Sequence, residues 1–263
     1  MSRTWSFTDL EFVVLWERLE EDLLPHPLMF TSRIRLHDDL AREKAQIWDR
    51  LRSTVDGSLG DALAAIARPD VRLAVQGRNG KDLDDPAGSI RILATRSGDI
   101  GYVVKQRPGE TIRHSAGFTI TECSAVGLAD AVVAELPERE PGKLADITLV
   151  PERSADDMDY SYGRSRVEQA TFENSVGQRS QRFLESSLSV IGAIEIIQGR
   201  SRFGPRGVTR HVLQWRDVEG DGRYVIAVQN PLAAVAADRK RLTAMINTKI
   251  AEVVRVIKDE GGV

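Results

Sequence analysis

The sequence predicts an α+β fold in which a central antiparallel sheet is flanked by helices. Near both ends of the chain, apolar residues recur every three or four positions, which is typical of helices. In two internal regions, apolar and polar residues alternate, which is typical of strands. Both halves also follow the same order of helices, strands, a turn with glycine, another strand and a closing helix. We therefore expect a pseudo-twofold arrangement of two similar halves that share one sheet.

The first half, residues 1–150, begins with helical patterns and continues with strands. Thr8 and Glu11 have the spacing of a capping box, which predicts that a helix begins there and runs toward Pro25. The other predicted elements of this half are helices at His37–Val55 and Ser58–Ala67, strands at Val71–Gln76, Ile90–Ala94, Ile100–Gln106, Thr111–His114 and Phe118–Glu122, and a helix capped by Ser124.

The second half, residues 151–263, follows a Pro-, Gly- and acid-rich stretch that we interpret as a linker. Ser189–Gln198 is apolar on both alternating faces, so this strand should be central. Both halves are expected to form one compact unit. The other elements predicted around and after the linker at Pro137–Gly163 are an edge strand at Ile147–Val150, a helix at Arg166–Ser187, strands at Val208–Trp215 and Tyr224–Val228, and a long helix from Pro231.

Composition predicts a cytoplasmic protein without membrane insertion. The chain has 36 basic and 39 acidic side chains, so its net charge attracts no polyanion. One cysteine excludes an intramolecular disulfide, and the first residues lack the pattern of a secretory leader. The longest nearly apolar stretch, Leu188–Ile197, is far shorter than the ~20 residues that cross a bilayer.

Residues that carry chemistry form no recognisable constellation, so we expect no enzyme, metal or cofactor. The four histidines match no ligand motif, and no base accompanies Cys123. The loop Gly77–Asp82 lacks the first glycine and the final Ser or Thr of a phosphate-binding loop. An enzyme whose site is assembled from distant residues remains an alternative.

A basic tract gives a second alternative, a nucleic-acid-binding protein. Residues Arg200–Arg210 combine several arginines with glycine and Phe203. Binding to a nucleic acid backbone usually needs many cooperating cations, and the chain as a whole is slightly acidic. A solvated hairpin or a surface for an acidic partner is therefore favoured.

Several segments in the same order resemble the EspG family of secretion-associated proteins. They cover nearly the whole chain and include an opening helix with a proline-containing exit and a characteristic entry into the sheet. The segments are Leu10–Glu17, Leu24–Leu28, Leu63–Val71, Leu136–Pro137 with Pro141–Gly142, Ile147–Pro151, Trp215–Asp217 and Asp221–Tyr224.

This resemblance implies a chaperone of an actinobacterial type VII (ESX) secretion system. Such a protein binds the helical tip of the PPE partner in a PE–PPE heterodimer, without nucleotide or metal, and keeps the pair soluble in the cytosol. The chain is then expected to be a monomer or a weak dimer. As contact residues we select apolar side chains in loops or on strands expected to be half-exposed: Leu83, Phe203, Val212 and Trp215.

Overall fold

The computed structural model describes residues 3–19, 23–150, 176–227 and 231–261. The helices are α1 (Asp9–Glu17), α2 (His37–Leu51), α3 (Gly57–Ala67), α4 (Leu128–Ala134), α5 (residues 176–184) and α6 (Arg239–Gly261). The strands are β1 (Thr4–Phe7), β2 (Val71–Asn79), β3 (Ile90–Ser97), β4 (Ile100–Pro108), β5 (Ser115–Ser124), β6 (Ile147–Thr148), β7 (Leu188–Gln198), β8 (Arg210–Val218), β9 (Arg223–Ala227) and β10 (Ala233–Ala236).

These strands form one antiparallel sheet in the order β1-β5-β4-β3-β2-β7-β8-β9-β10-β6. The predicted α+β fold with an antiparallel sheet and flanking helices is confirmed. β2 and β7 pair in the middle, from Val71 opposite Gln198 to Asn79 opposite Val190. Strand β7 is therefore central, as its apolar faces predicted.

The strand order is the same when it is read outward from the β2–β7 pair in either direction. On one side lie the first five strands, and on the other side lie the last five. β6 precedes residue 151 in the sequence but pairs with β10 on the second side. The pseudo-twofold relation and the division at residue 150 stay predictions.

One face of the sheet packs against α4 and α6. These helices share a core with strands from both halves of the chain, which ties the halves together. Val75 and Ile92 come from the first half, whereas Ile194, Leu213 and Ile246 come from the second.

The opposite face is covered in two separate places. Helices α1 and α3 pack on the first-half strands around Phe118 and Ile120. Helix α5 packs on the outer second-half strands, where Phe183 contacts Tyr224 edge-on with ring centroids 5.1 Å apart. The central strands lie between these two layers.

Local sequence explains where α1 begins. The backbone N–H of Glu11 donates to Thr8 Oγ1 at 3.3 Å, and the N–H of Thr8 donates to Glu11 Oε2 at 2.9 Å. Phe7 and Phe12 lie next to each other, with ring centroids 6.4 Å apart. The predicted capping box is therefore confirmed, although the helix ends at Glu17, well before Pro25.

Two predicted elements are wrong. Thr111–His114 is a turn and not a strand, because the N–H of His114 donates back to the carbonyl of Thr111 at 3.1 Å. The residues after Pro231 form β10, since the backbone of Ala233–Ala236 pairs with β9, and α6 begins only at Arg239. Strand β1 was not predicted. Parts of the predicted linker and of the helix at 166–187 lie outside the described residues.

Candidate partner-binding surface

The central strands β2, β7 and β8 carry a band of side chains between the two helical layers, and all of them except Ala74 are partly or fully exposed. The helices in the described ranges leave most of this band uncovered, and α5 reaches it at Arg216 at one end. We call this band the open strip. It consists of four rows of facing residues: Arg72, Ile197 and Arg210; Ala74, Glu195 and Val212; Gln76, Ala193 and Gln214; and Arg78, Ile191 and Arg216.

The middle column of the open strip is largely apolar and only half-buried. On β7, Ile191, Ala193 and Ile197 are partly exposed, whereas Ile194 and Ile196 on the other face are buried. A groove of about 300 Å³ runs along the strip between β2 and β8. An apolar centre with polar side chains on both sides is the usual anatomy of a protein-binding surface.

Two arginines connect the open strip to neighbouring structure. The guanidinium of Arg78 donates to the carbonyl oxygen of Leu83 at 3.1 Å, which holds the β2–β3 loop beside the strip. The guanidinium of Arg216 lies 5.7 Å from the ring centroid of Phe183 and donates to the carbonyl of Leu184 at 3.4 Å. Burial lowers the pKa of Arg216, because the desolvated cation has lost water. A carboxylate from a partner would compensate for that loss.

Two of the predicted contact residues lie at the open strip. Val212 is half-exposed in its second row. Leu83 is 53% exposed in the loop that Arg78 holds. Phe203, which is 74% exposed, lies away from the strip in the β7–β8 loop, beside Val256 of α6. A contact role for these three residues stays a prediction.

The selection of Trp215 as a surface residue is wrong. Its side chain is only 1% exposed, because odd-numbered residues of β8 point toward α4 and α6. The indole lies over Gly192, where an added Cβ would be 2.2 Å from the ring, and over Gly77. Trp215 is therefore part of the core.

The isoleucines of the open strip were not among the contact residues predicted from the sequence. Ile191 and Ile197 sit on a strand that is apolar on both faces, and this pattern was used only to place β7 in the centre. Such a strand needs a cover on each face, and the described helices cover one. The pattern therefore indicated that both faces are covered, but not whether the chain itself or a partner covers the second face.

The arginine-rich tract folds back onto α6. Glu260 accepts hydrogen bonds from the side chains of Gln198 at 3.1 Å and Ser201 at 2.9 Å, and from the backbone N–H of Arg202 at 3.0 Å. The Arg202 guanidinium donates to the carbonyl of Glu260 at 2.8 Å, and Arg210 pairs with Glu195. Part of the positive charge of the tract is thus neutralised within the chain.

The residues that were considered for catalysis or phosphate binding make ordinary structural contacts. Burial and then the charge of Glu122 raise the pKa of the Cys123 thiol, which keeps it protonated and unreactive. Lys81 pairs with Glu219 at 2.7 Å. Among the described residues, no group of His, Cys, Asp or Glu is placed to hold a metal ion. None of the described helices is long and apolar enough to cross a membrane.

The fold and the open strip define an α+β protein that presents one preformed sheet face for contact. The sequence matches the EspG family over residues 8–248, and the chain therefore belongs to the EspG family. The resemblance seen in its segments is confirmed.

Solved structures agree on the fold. The chain is similar to the Mycobacterium tuberculosis type VII secretion system chaperone EspG5, whose structure was determined in complex with a PE25–PPE41 dimer. The TM-score is 0.54 at 13% sequence identity, and the match covers 95% of this chain and 96% of that chain. No match was found among curated proteins.

Proposed function

We propose that this protein is a cytoplasmic chaperone that binds PE–PPE type substrates of a type VII secretion system and keeps them soluble before export. Membership of the EspG family supports this function. The fold that the chain shares with EspG5, a chaperone solved together with a PE25–PPE41 dimer, also supports it. In the absence of a substrate, the protein is a monomer or a weak dimer.

The open strip is the surface that receives the helical tip of the PPE partner. Its apolar column, Ile191, Ala193 and Ile197, covers apolar side chains that would otherwise promote aggregation of the substrate. Arg78 and Arg216 at its edge pair with polar or acidic groups beside the tip. Contact alone performs this task, so the protein is not an enzyme and needs no nucleotide or metal.

One observation carries the proposal. Three apolar side chains of β7 remain partly exposed, whereas Ile194 and Ile196 on the other face are fully buried. An antiparallel sheet can leave one face to water, but that face is then usually polar. A partner that completes the burial explains why these residues are apolar.

Co-expression with a PE–PPE pair from the same genome tests the function. We expect a soluble equimolar complex of the three chains in size-exclusion chromatography with light scattering. If every such pair of that genome stays insoluble or elutes apart from the chaperone, the proposed function is wrong.

A matched pair of variants tests the surface. Val212→Asp places a charge in the open strip, and we expect at least about tenfold weaker binding because the carboxylate is desolvated in the complex. Val126→Asp makes the same change at a residue that is 85% exposed and lies outside the strip, and binding should stay within about twofold. Equal affinities in isothermal calorimetry would place the contact elsewhere.

A further inference from the structure

A second groove, lined mainly by polar residues, lies at the end of the sheet where β2 begins and β7 ends. It has a volume of about 340 Å³, and its cationic lining consists of Arg68, Arg72 and Arg200. Ala67, Pro69 and Ile257 give it an apolar part. Its volume is at the low end of the ~300 to 1,000 Å³ typical of ligand sites.

The three arginines carry charge that nothing in the described residues compensates. Their side chains make no ion pair or hydrogen bond there, in contrast to Arg33, Arg210 and Arg223. Asp70 is the acidic residue of the lining, but its carboxylate accepts the N–H of Gly98 at 2.8 Å and faces Arg96 at 3.4 Å. The lining therefore carries three arginines against one carboxylate, and its net charge is positive.

The backbone holds this groove in a fixed shape. The N–H of Gly199 donates to the carbonyl of Asp70 at 2.7 Å, and a Cβ at Gly199 would lie 1.7 Å from the carbonyl oxygen of Pro69. This close approach brings the loop of Arg200 against the loop of Arg68. On its other side, the Arg200 loop is tied to Glu260 of α6 through Gln198 and Ser201.

We infer that this groove binds a short acidic peptide segment of another protein. Guanidinium groups pair with carboxylates through two parallel hydrogen bonds, and several arginines around one groove can hold successive Asp or Glu side chains. The apolar part at Ala67 and Ile257 suits the methylene groups of glutamate. The groove adjoins the open strip at Arg72, but it does not include the apolar column to which we propose that the PPE tip binds.

A nucleic acid fits the groove less well. Its backbone needs an extended track of cations, whereas these three arginines line one small groove. Two further arginines of the tract, Arg202 and Arg210, are turned toward Glu260 and Glu195.

Fluorescence anisotropy with the full chain and a labelled octaglutamate peptide at about 25 mM salt tests the inference. We expect saturable binding that weakens at least about tenfold in Arg68→Glu with Arg200→Glu. The control Arg50→Glu with Arg113→Glu makes the same change in net charge at exposed arginines outside the groove and should alter binding less than about twofold. Arg68→Gln with Arg200→Gln is the milder second pair, and circular dichroism melting establishes that each variant is folded.

Any of several outcomes would overturn the site. These are an absence of saturable binding to octaglutamate, equal losses in the groove and control variants, or displacement of the peptide by an equal concentration of inorganic phosphate. Tighter binding of an oligothymidylate of the same charge would assign the groove to nucleic acid. None of these outcomes depends on whether a PE–PPE pair binds the open strip.

Discussion

At the residue scale, Trp215 belongs to the core that the central strands share with α4 and α6. Gly77 and Gly192 face each other across the β2–β7 pair, and the indole occupies the space that their missing side chains leave. Truncation of a large aromatic side chain that is buried over two glycines leaves a cavity that its surroundings fill only in part.

Trp215→Ala should therefore lower the free energy of unfolding by ~3 to 5 kcal/mol, the range for large-to-small changes in a core. Phe203→Ala removes an aromatic ring that is 74% exposed and should change the free energy of unfolding by less than ~0.5 kcal/mol. Urea denaturation followed by circular dichroism measures both. A Trp215 variant as stable as the Phe203 variant would mean that Trp215 is not a core residue.

Tyr224 gives a residue-scale prediction about pH. Its hydroxyl donates to Asp221 Oδ2 at 2.6 Å and accepts from the N–H of Leu144 at 3.0 Å. Burial, then the bond to Asp221, raises the pKa of Tyr224 to about 12. An unfolded tyrosine ionises near pH ~10, so the folded state keeps a proton that the unfolded chain loses.

The free energy of unfolding should thus be independent of Tyr224 ionisation below pH ~10 and should fall as the pH rises toward about 12. Tyr224→Phe should remove part of this fall, and a smaller part should remain because burial also raises the pKa of Tyr102. Urea midpoints at about pH 9 and about pH 11.5 measure the difference. Identical pH profiles for the variant and the natural protein would contradict the assignment.

At the element scale, the end of α6 anchors the β7–β8 loop through Glu260. Hydrogen bonds, first from the backbone N–H of Arg202 and then from Gln198 and Ser201, lower the pKa of Glu260. The anchor is therefore complete above the ordinary glutamate pKa and is lost as the pH falls through the lowered value.

Glu260→Ala should release residues 199–207 while the sheet stays folded. Hydrogen exchange should become at least about fivefold faster in that loop, because local opening no longer breaks the bonds to the carboxylate. Asp259→Ala, one residue earlier and exposed, is the control. Unchanged exchange in the loop after Glu260→Ala would show that the loop is held by other contacts.

Elements were predictable where short-range chemistry determines them. The capping box of Thr8 and Glu11 and the alternation in β2 needed only neighbouring residues. The residues of β10 were assigned to a helix because Leu232 and Val235 continue the apolar spacing of α6, yet pairing with β9 determines their structure. The four-residue strand β1 depends on pairing with β5, which no local pattern reveals.

At the scale of the whole molecule, both halves contribute to one core and to one exposed face. Residues of β2 and β3 share a cluster with residues of β7, β8 and α6, so we treat the chain as one folding unit. The open strip arises from this arrangement, because the helical layers of the two halves cover different outer parts of the opposite face.

The sequence could predict the family and an apolar central strand but not the surface itself. Whether Ile191 lies in a core or on a contact face depends on where α1, α3 and α5 pack, and that is a tertiary outcome. The assignment of Trp215 was wrong for a different reason. Leu213 and Trp215 lie on the apolar face of an alternating strand, so the sequence already indicated that this face is buried.

Hydroxyl-radical footprinting of the free chain and of its complex with a PE–PPE pair tests the central claim most directly, because it reports the solvent access of individual side chains. We predict that labelling of Ile191, Ile197 and Val212 drops at least about fivefold in the complex, while Val126 reacts as before. Unchanged labelling of those three residues in a complex that has formed would contradict the open strip as the binding surface.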